Sequence, residues 1–352
     1  MSLTPPVWIV TNQQFADHQG HNLLARHLEA RSVRLAGWTG SLPQRLFSKL
    51  LRQLPGNRVM SPALAYHVYL ANKLSRLPRA RVGLLHLIWG DEFIGHLKHP
   101  ERIVLTLHQP FELWSETTWR QIARCAGVIC MAERECQEIR RRSPDTSCVF
   151  IHHGIDVDFW RPVTQPPRRQ VCAVGRYMRN FDMLFRVSQA LLARHPDVTI
   201  RWLVNPDFQL SPELVRALPP ERFELVRNLS AAELHRFYAE SWLFFTPYNN
   251  VTASNAIVES MASGTPVFTT RVGGMASYAG ADAITMVSND DDDAMLTALT
   301  HCLDSAEVRA SQATRGRQHA ETHFSWPRVV LAHEEYYKSL LASVALAGSA
   351  AP

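Results

Sequence analysis

Apolar residues fall along the chain in short continuous blocks, separated by stretches in which they recur three and four residues apart. Val7–Thr11, Val33–Ala36, Val82–Ile88, Ile103–Leu107, Gly127–Cys130 and Cys148–Ile151 are such blocks. Runs without polar alternation predict strands buried on both faces, hence a parallel sheet covered by the intervening helices, the first over roughly 22–30. Arg161-Pro162-Val163-Thr164-Gln165-Pro166-Pro167-Arg168-Arg169 interrupts the pattern with polar, Pro-rich sequence and predicts a boundary between residues 1–163 and 164–324. A second set follows it. Strands are predicted at Val171–Val174, Thr199–Val204, Phe223–Val226, Trp242–Thr246, Pro266–Thr270 and Ala283–Val287, and helices at Asp182–His195, Ala231–Ser241 and about Asp293–Asp304. The expected fold class is α/β: two Rossmann-like, doubly wound domains facing across a cleft, with ligands at the carboxyl ends of the strands.

The stretch from Phe245 to Gly274 is the most informative. A buried strand gives way to a polar loop, Tyr248–Asn255, whose Thr, Ser and Asn residues signal an N-cap for a helix over Ala256–Ala262. Gly264-Thr265-Pro266 stops the helix and a second strand begins. A helix N-terminus offers unpaired N–H groups and partial positive charge, which suits a phosphate or a sugar edge. Glu259 lies one to two turns along, where a carboxylate can accept hydrogen bonds from vicinal hydroxyls.

Glu259-Ser260-Met261-Ala262-Ser263-Gly264-Thr265-Pro266-Val267, followed by Val272-Gly273-Gly274, resembles the nucleotide-sugar signature of the family 4-type (group 1) retaining glycosyltransferases of GT-B fold. In that family a second Glu stands eight positions earlier; here the position is Val251. The resemblance extends along the chain: Ile151–Pro162 is similar to the interdomain crossing, Val174-Gly175-Arg176 to a strand-end Gly-Arg, and Ser230–Ala239 with Phe244–Pro247 to the Ser-x-x-Glu-Leu…Pro-Ser segment. Phe324-Ser325-Trp326 resembles the start of a C-terminal element, residues 325–352, that packs back on the first domain. The resemblance implies a nucleoside diphosphate sugar as donor, a lipid-linked or glycan acceptor, retention of configuration, and neither metal nor organic cofactor. It also implies roles. Glu259 binds the ribose, Arg176 the diphosphate, and Arg179 is the nearest stand-in for a Lys usual a few residues later. Asn250, Thr252, Ser254 and Asn255 are candidates to replace the missing Glu at the donor sugar. His108, closing a strand before Gln109-Pro110, faces the reaction centre. Gly20, Gly273 and Gly274 allow close backbone approach to the donor, and Trp89-Gly90-Asp91 shapes the acceptor pocket.

Charge adds a second theme. Residues 1–163 hold 20 Lys and Arg against 13 Asp and Glu, whereas residues 164–352 hold 17 against 19. Over residues 26–81 the ratio is 11 to one, which implies an anionic partner. Within that span, Leu42, Leu46, Phe47, Leu50, Leu51 and Leu54 share one side of a helix at Pro43–Leu54, with Arg45, Lys49 and Arg52 opposite. The pattern fits an interfacial helix on anionic lipid, and equally a core-facing helix with a solvated basic side. No nucleic-acid-binding module accompanies the charge, so nucleic acid is not expected as a partner. Asp290–Asp293 reads as a capped helix start and not a metal site, and the six cysteines lack ligand spacing. The N-terminus lacks a basic run before Val7–Val10 and no apolar run reaches a bilayer span, so a cytoplasmic protein, at most peripheral on the inner face of the plasma membrane, is expected. Two other readings stand beside transfer: a binding or scaffold protein whose catalysis went with the Glu at 251, and another GT-B enzyme such as a nucleotide-sugar epimerase.

Overall fold

The computed structural model describes residues 6–13, 18, 20, 23–29, 31, 33–54, 60–210, 218–280 and 282–349. The chain divides into two units, one of residues up to Gly154 together with those from Trp326 on, the other of Ile155–Ser325.

The first unit holds β1 (Val7–Asn12), α1 (Leu23–Glu29), β2 (Arg34–Trp38), α2 (Leu42–Leu51), α3 (Pro62–Leu74), β3 (Leu84–Leu87), α4 (Gly90–Phe93), β4 (Ile103–Leu107), α5 (Glu116–Ile122), β5 (Gly127–Cys130), α6 (Glu133–Arg142) and β6 (Cys148–Phe150). Its six strands run parallel in the order β2-β1-β3-β4-β5-β6. β3, β4 and β5 are buried along their whole length, which is why they read as unbroken apolar blocks. The C-terminal helix, Trp326–Ser349, belongs to this unit. Its Tyr337 hydroxyl lies 2.7 Å from His86 Nδ1, and the Tyr336 hydroxyl accepts from the Val128 amide at 3.1 Å and donates to Ser147 O at 2.9 Å. The Trp326 ring lies where a Cβ on Gly154 would be, 2.1 Å away, so only glycine fits beneath it.

The second unit holds β7 (Arg168–Val174), α7 (Phe181–Arg194), β8 (Thr199–Leu203), β9 (Phe223–Val226), α8 (Ala231–Ala239), β10 (Ser241–Thr246), α9 (Asn255–Ala262), β11 (Val267–Thr270), α10 (Ala276–Ala279), β12 (Thr285–Val287), α11 (Asp292–Asp304) and α12 (Ala306–His323). Its parallel sheet has the order β12-β11-β10-β7-β8-β9. Ser230 and Glu233 close a full capping box on α8. Asp291 caps α11, its Oδ1 accepting from the Ala294 amide at 2.8 Å, so the acidic run does open a helix.

Two expectations need correction. The division falls between Gly154 and Ile155, not at 163/164. Residues 155–162 are bound into the second unit: the Ile155 amide donates to Phe324 O at 2.7 Å, Trp160 is fully buried, and Arg317 donates to Trp160 O at 2.6 Å. Composition marks where the chain is polar and Pro-rich, whereas the boundary lies where contacts thin out. In α2 the core-facing alternative fails for most of the apolar arc. The helix docks through Phe47, whose ring meets Tyr69 edge-on at 5.0 Å, and through buried Ser48 and Leu51. Leu42, Leu46, Leu50 and the following Leu54 face outward, and Arg52 is half-buried, its Nε without a partner among the described residues, so it does not lie on the exposed face as expected.

Candidate functional site

In the second unit the strand order reverses between β7 and β10: β8 and β9 lie to one side, β11 and β12 to the other. The carboxyl ends of two such strands diverge and leave a crevice for ligand. The loops after β7 and β10 meet here. The Asn180 amide donates to Pro247 O at 2.9 Å, the Asn249 amide to Met178 O at 2.9 Å, and Arg179 and Tyr248 form an antiparallel bridge. Gly175 at φ +83° and Met178 at φ +56° make the turn. Arg176 projects from it half-exposed, with Asp207 3.7 Å away as a loose, solvent-facing partner. Arg179 is differently occupied. Its Nε and Nη2 donate to Val174 O at 3.2 and 2.6 Å, Nη1 donates to Tyr177 O at 3.3 Å, and its guanidinium stacks 3.8 Å from the Tyr248 ring centroid. It braces the loop, which corrects its expected place beside a leaving group.

After β10 the loop approaches α9. Ser254 stands at the N-cap, yet its hydroxyl does not cap; it accepts from the Tyr248 hydroxyl at 2.6 Å. Ser254 thus leaves the first-turn amides of α9 without an N-cap hydroxyl, and the positive end of the helix can face an anion. Thr252 is buried and its hydroxyl has no partner among the described residues. Asn250 Oδ1 accepts from the Val251 amide at 2.8 Å, and Asn255 is exposed at the helix start. Val251 packs into the core behind, its carbonyl accepting from the Gly274 amide at 2.6 Å. A Cβ on Gly273, at φ +53°, would lie 2.1 Å from that carbonyl, so the glycine pair holds the loop after β10 against the loop after β11.

Glu259 is buried on α9, and the Tyr238 hydroxyl of α8 donates to its Oε2 at 3.1 Å. Burial raises its pKa to about 7, the tyrosine bond opposing. Tyr238 is a partner that sequence reasoning missed; 21 residues separate the two and no spacing rule joins them.

In the first unit the order reverses between β1 and β3. Gly20, at φ +83° with open space around it, follows β1; most of the loop Phe15–Asn22 lies outside the described residues. After β4, His108 stacks on Trp89 with ring centroids 4.2 Å apart. Its Nε2 lies 2.8 Å from Ile88 O, which can only accept, so Nε2 carries the proton and Nδ1 is the acceptor nitrogen. Burial lowers its pKa, with Asp91 opposing, and the ring is neutral. Asp91 accepts from the amides of His108 at 2.7 Å and Gln109 at 3.3 Å, fixing the turn that presents the ring. Arg176 thus lies on the loop after β7, and Thr252, Ser254, Asn255 and Glu259 on the loop after β10 and on α9, while Trp89 and Asp91 meet His108 after β3 and β4 and Gly20 follows β1.

These features define a class: a two-domain α/β protein whose second sheet carries an anion-ready helix N-terminus and an arginine at its switch point. The profile of the family described as Glycosyl transferases group 1 matches residues 168–305, the span that holds them. A D-inositol 3-phosphate glycosyltransferase of Corynebacterium aurimucosum is 27% identical over 289 residues, 72% of this chain and 68% of its own length. That of Corynebacterium glutamicum is 25% identical, and this chain spans 60% of it. An MMP alpha-(1->4)-mannosyltransferase of Mycolicibacterium hassiacum is 31% identical over 295 residues, 75% of this chain and 69% of its own length. The chain belongs to the group 1 glycosyl transferases. Among solved structures, sucrose-phosphate synthase of Thermosynechococcus elongatus matches with a TM-score of 0.68 at 18% identity, over 96% of this chain and 99% of that one. HepE of Anabaena, solved in complex with UDP and glucose, matches with 0.67 at 15% identity, over 95% and 100%. The fold is GT-B.

Proposed function

We propose that the chain moves a sugar from a nucleoside diphosphate sugar to a lipid-linked or glycan acceptor, with retention of configuration. The observation that carries this reading is the second unit's switch point, where a helix start without an N-cap hydroxyl, an orphaned Thr252 hydroxyl and a loosely paired Arg176 stand around the ends of β7 and β10. Each is a donor to oxygen. In the reaction the bond from the anomeric carbon to the diphosphate breaks and its electron pair stays with the diphosphate. Arg176 and the α9 amides would stabilise that growing charge, and such prearranged electrostatics is commonly the largest catalytic contribution. The acceptor hydroxyl attacks the same face, and its proton passes to a departing diphosphate oxygen. Glu259 would hold the ribose hydroxyls. Val251 offers no carboxylate to the donor sugar, so Thr252, Asn250 and Asn255 would hold it through neutral hydrogen bonds. His108, neutral, would offer an acceptor nitrogen at the first unit's switch point. No metal or organic cofactor has a role in this scheme. A lipid-linked acceptor would set the reaction at the inner face of the plasma membrane.

UDP is the first nucleotide to test, since HepE was solved with it. Thermal shift with uridine, guanosine and thymidine diphosphates and their sugars should find one that stabilises the protein, by about 2.7 kcal/mol at a hundredfold excess over Kd. Glu259→Ala should abolish that stabilisation. If no nucleotide stabilises the wild type, the reading fails. A second reading rests on Val251 and Arg179, the one apolar and the other bound to backbone: a protein that binds nucleotide without transferring sugar. Binding without turnover across a donor and acceptor panel would favour it.

A further inference from the structure

The outward face of α2 and the groove beside it form a continuous surface that nothing above employs. Leu42, Leu46, Leu50 and Leu54 stand one turn apart and are 70%, 60%, 61% and 52% exposed, while Ser48 on the opposite side is fully buried. A helix that turns a serine inward and a ladder of leucines outward is inverted relative to one serving only its own core. Four aligned leucines exceed the scattered apolar exposure usual on a folded surface.

The surroundings are basic. Arg45 and Lys49 are exposed on the same helix. Next to Leu54 opens a groove of about 740 Å³ whose lining includes Tyr69, Lys73, Arg76, His96 and Lys98. From Arg31 to Gly90 the sequence has ten Lys and Arg and no Asp or Glu. Beside the groove Glu101 lies 3.7 Å from His99, whose other ring nitrogen accepts from Arg76. An apolar ladder flanked by a surplus of Lys and Arg side chains is complementary to a surface that is apolar below and anionic above.

We infer that this surface docks the protein on an anionic phospholipid bilayer, the leucine ladder entering the acyl boundary and the groove cations meeting headgroup phosphates. It differs from the arrangement expected of the sequence alone, in which Arg45, Lys49 and Arg52 were to face the lipid together: Arg52 turns inward and Lys73, Arg76 and Lys98, from other elements, replace it. The inference concerns a binding surface remote in sequence from the donor-site residues and stands whether or not transfer is found.

The test is co-sedimentation of the full chain with phosphatidylcholine vesicles, alone or with about 30 mol% phosphatidylglycerol. Wild type should bind the anionic vesicles, less as salt rises, and the neutral ones weakly. Leu46→Ser/Leu50→Ser should weaken binding about tenfold or more, as should Arg45→Glu/Lys49→Glu. Both pairs lie on exposed positions and should keep the wild-type melting temperature, which excludes misfolding as the cause. Absence of binding by wild type, or equal binding by the leucine pair, overturns the inference. So does sedimentation showing a wild-type dimer that the leucine pair dissociates, with no vesicle binding by either, since the ladder would then meet a second copy.

Discussion

Glu259 is set up to couple nucleotide binding to pH. Its carboxyl, raised to about 7 by burial, must be ionised to accept two hydroxyl hydrogen bonds from a ribose. Donor affinity should therefore rise with pH through about 7 and fall below it, toward tenfold per unit on the acid side. Isothermal titration at pH 6 and pH 8 would check this, and Glu259→Gln, unable to titrate, should bind weakly and without pH dependence. Tyr238→Phe removes the bond that favours the charged form, so it should move the dependence to higher pH. The two arginines should separate in a different way. Arg176→Ala should lower kcat by about 10²-fold or more with the melting temperature unchanged, because its side chain touches little. Arg179→Ala should lower the melting temperature by several degrees, since it strips three backbone carbonyl contacts and a ring contact from one loop. Nothing in sequence separates these residues, three positions apart; the difference arises from how Gly175 and Met178 turn the chain.

At the scale of elements, the glycine pair after β11 is a strict requirement. Gly273→Ala places a methyl within van der Waals conflict of Val251 O and needs φ +53° of a residue that avoids it. It should cost on the order of 1–3 kcal/mol and disorder the loop that carries Thr252, read as a fall in urea midpoint together with lost nucleotide binding. Strands were the most legible elements. Ile103–Leu107 and Gly127–Cys130 coincide with the observed β4 and β5, because full burial on both faces leaves no polar position to blur the ends, and Phe223–Val226 coincides with β9, an edge strand that exposes Glu224. Val82–Ile88 came out shorter as β3, since Val82 and Ile88 are buried without entering the ladder. The helix start at α9 was legible, but its chemistry was not: Ser254 marks the N-cap and then gives its hydroxyl to Tyr248. Helical spacing located the apolar arc of α2, yet spacing alone cannot say which side of a helix meets the protein. Leu51 goes in and Phe47 leans its ring on Tyr69 of α3, while Leu46 and Leu50 go out, and that choice is made by α3.

Across the whole molecule, the two units carry buried titratable groups of opposite effect. In the first, burial holds His67 at about 4, His153 at about 3 and His333 at about 4, and His86 well below its ordinary value. A buried neutral histidine binds fewer protons folded than unfolded, so its contribution is present above about pH 6.5 and is withdrawn as pH falls toward the folded pKa. Glu135, raised to about 7 by burial in the same unit, and Glu92, also raised by burial, work the other way, against these four histidines and His108. In the second unit Glu259 binds more protons folded than unfolded between about 4.5 and 7, so acidification across that window stabilises it, by roughly 3 kcal/mol at most. At pH 5 each of the three histidines with a placed pKa withdraws on the order of 2 kcal/mol from its unit, more in sum than Glu135 returns. Lowering the pH from 7 to 5 should thus unfold the first unit at lower urea while the second holds its ground or gains. Chains equilibrated in graded urea at each pH, then pulse-labelled with deuterium at one common pH, would report this by segment: protection over β1, β3, β4 and β5 should be lost first at pH 5, with β7, β8, β10 and β11 still protected. His333→Phe, which replaces a buried base by an apolar ring of similar shape, should recover part of the acid loss in the first unit and leave the second unmoved. If both units lose protection at the same urea at pH 5, or the histidine variant alters nothing, the buried imidazoles are not what makes the first unit sensitive to acid.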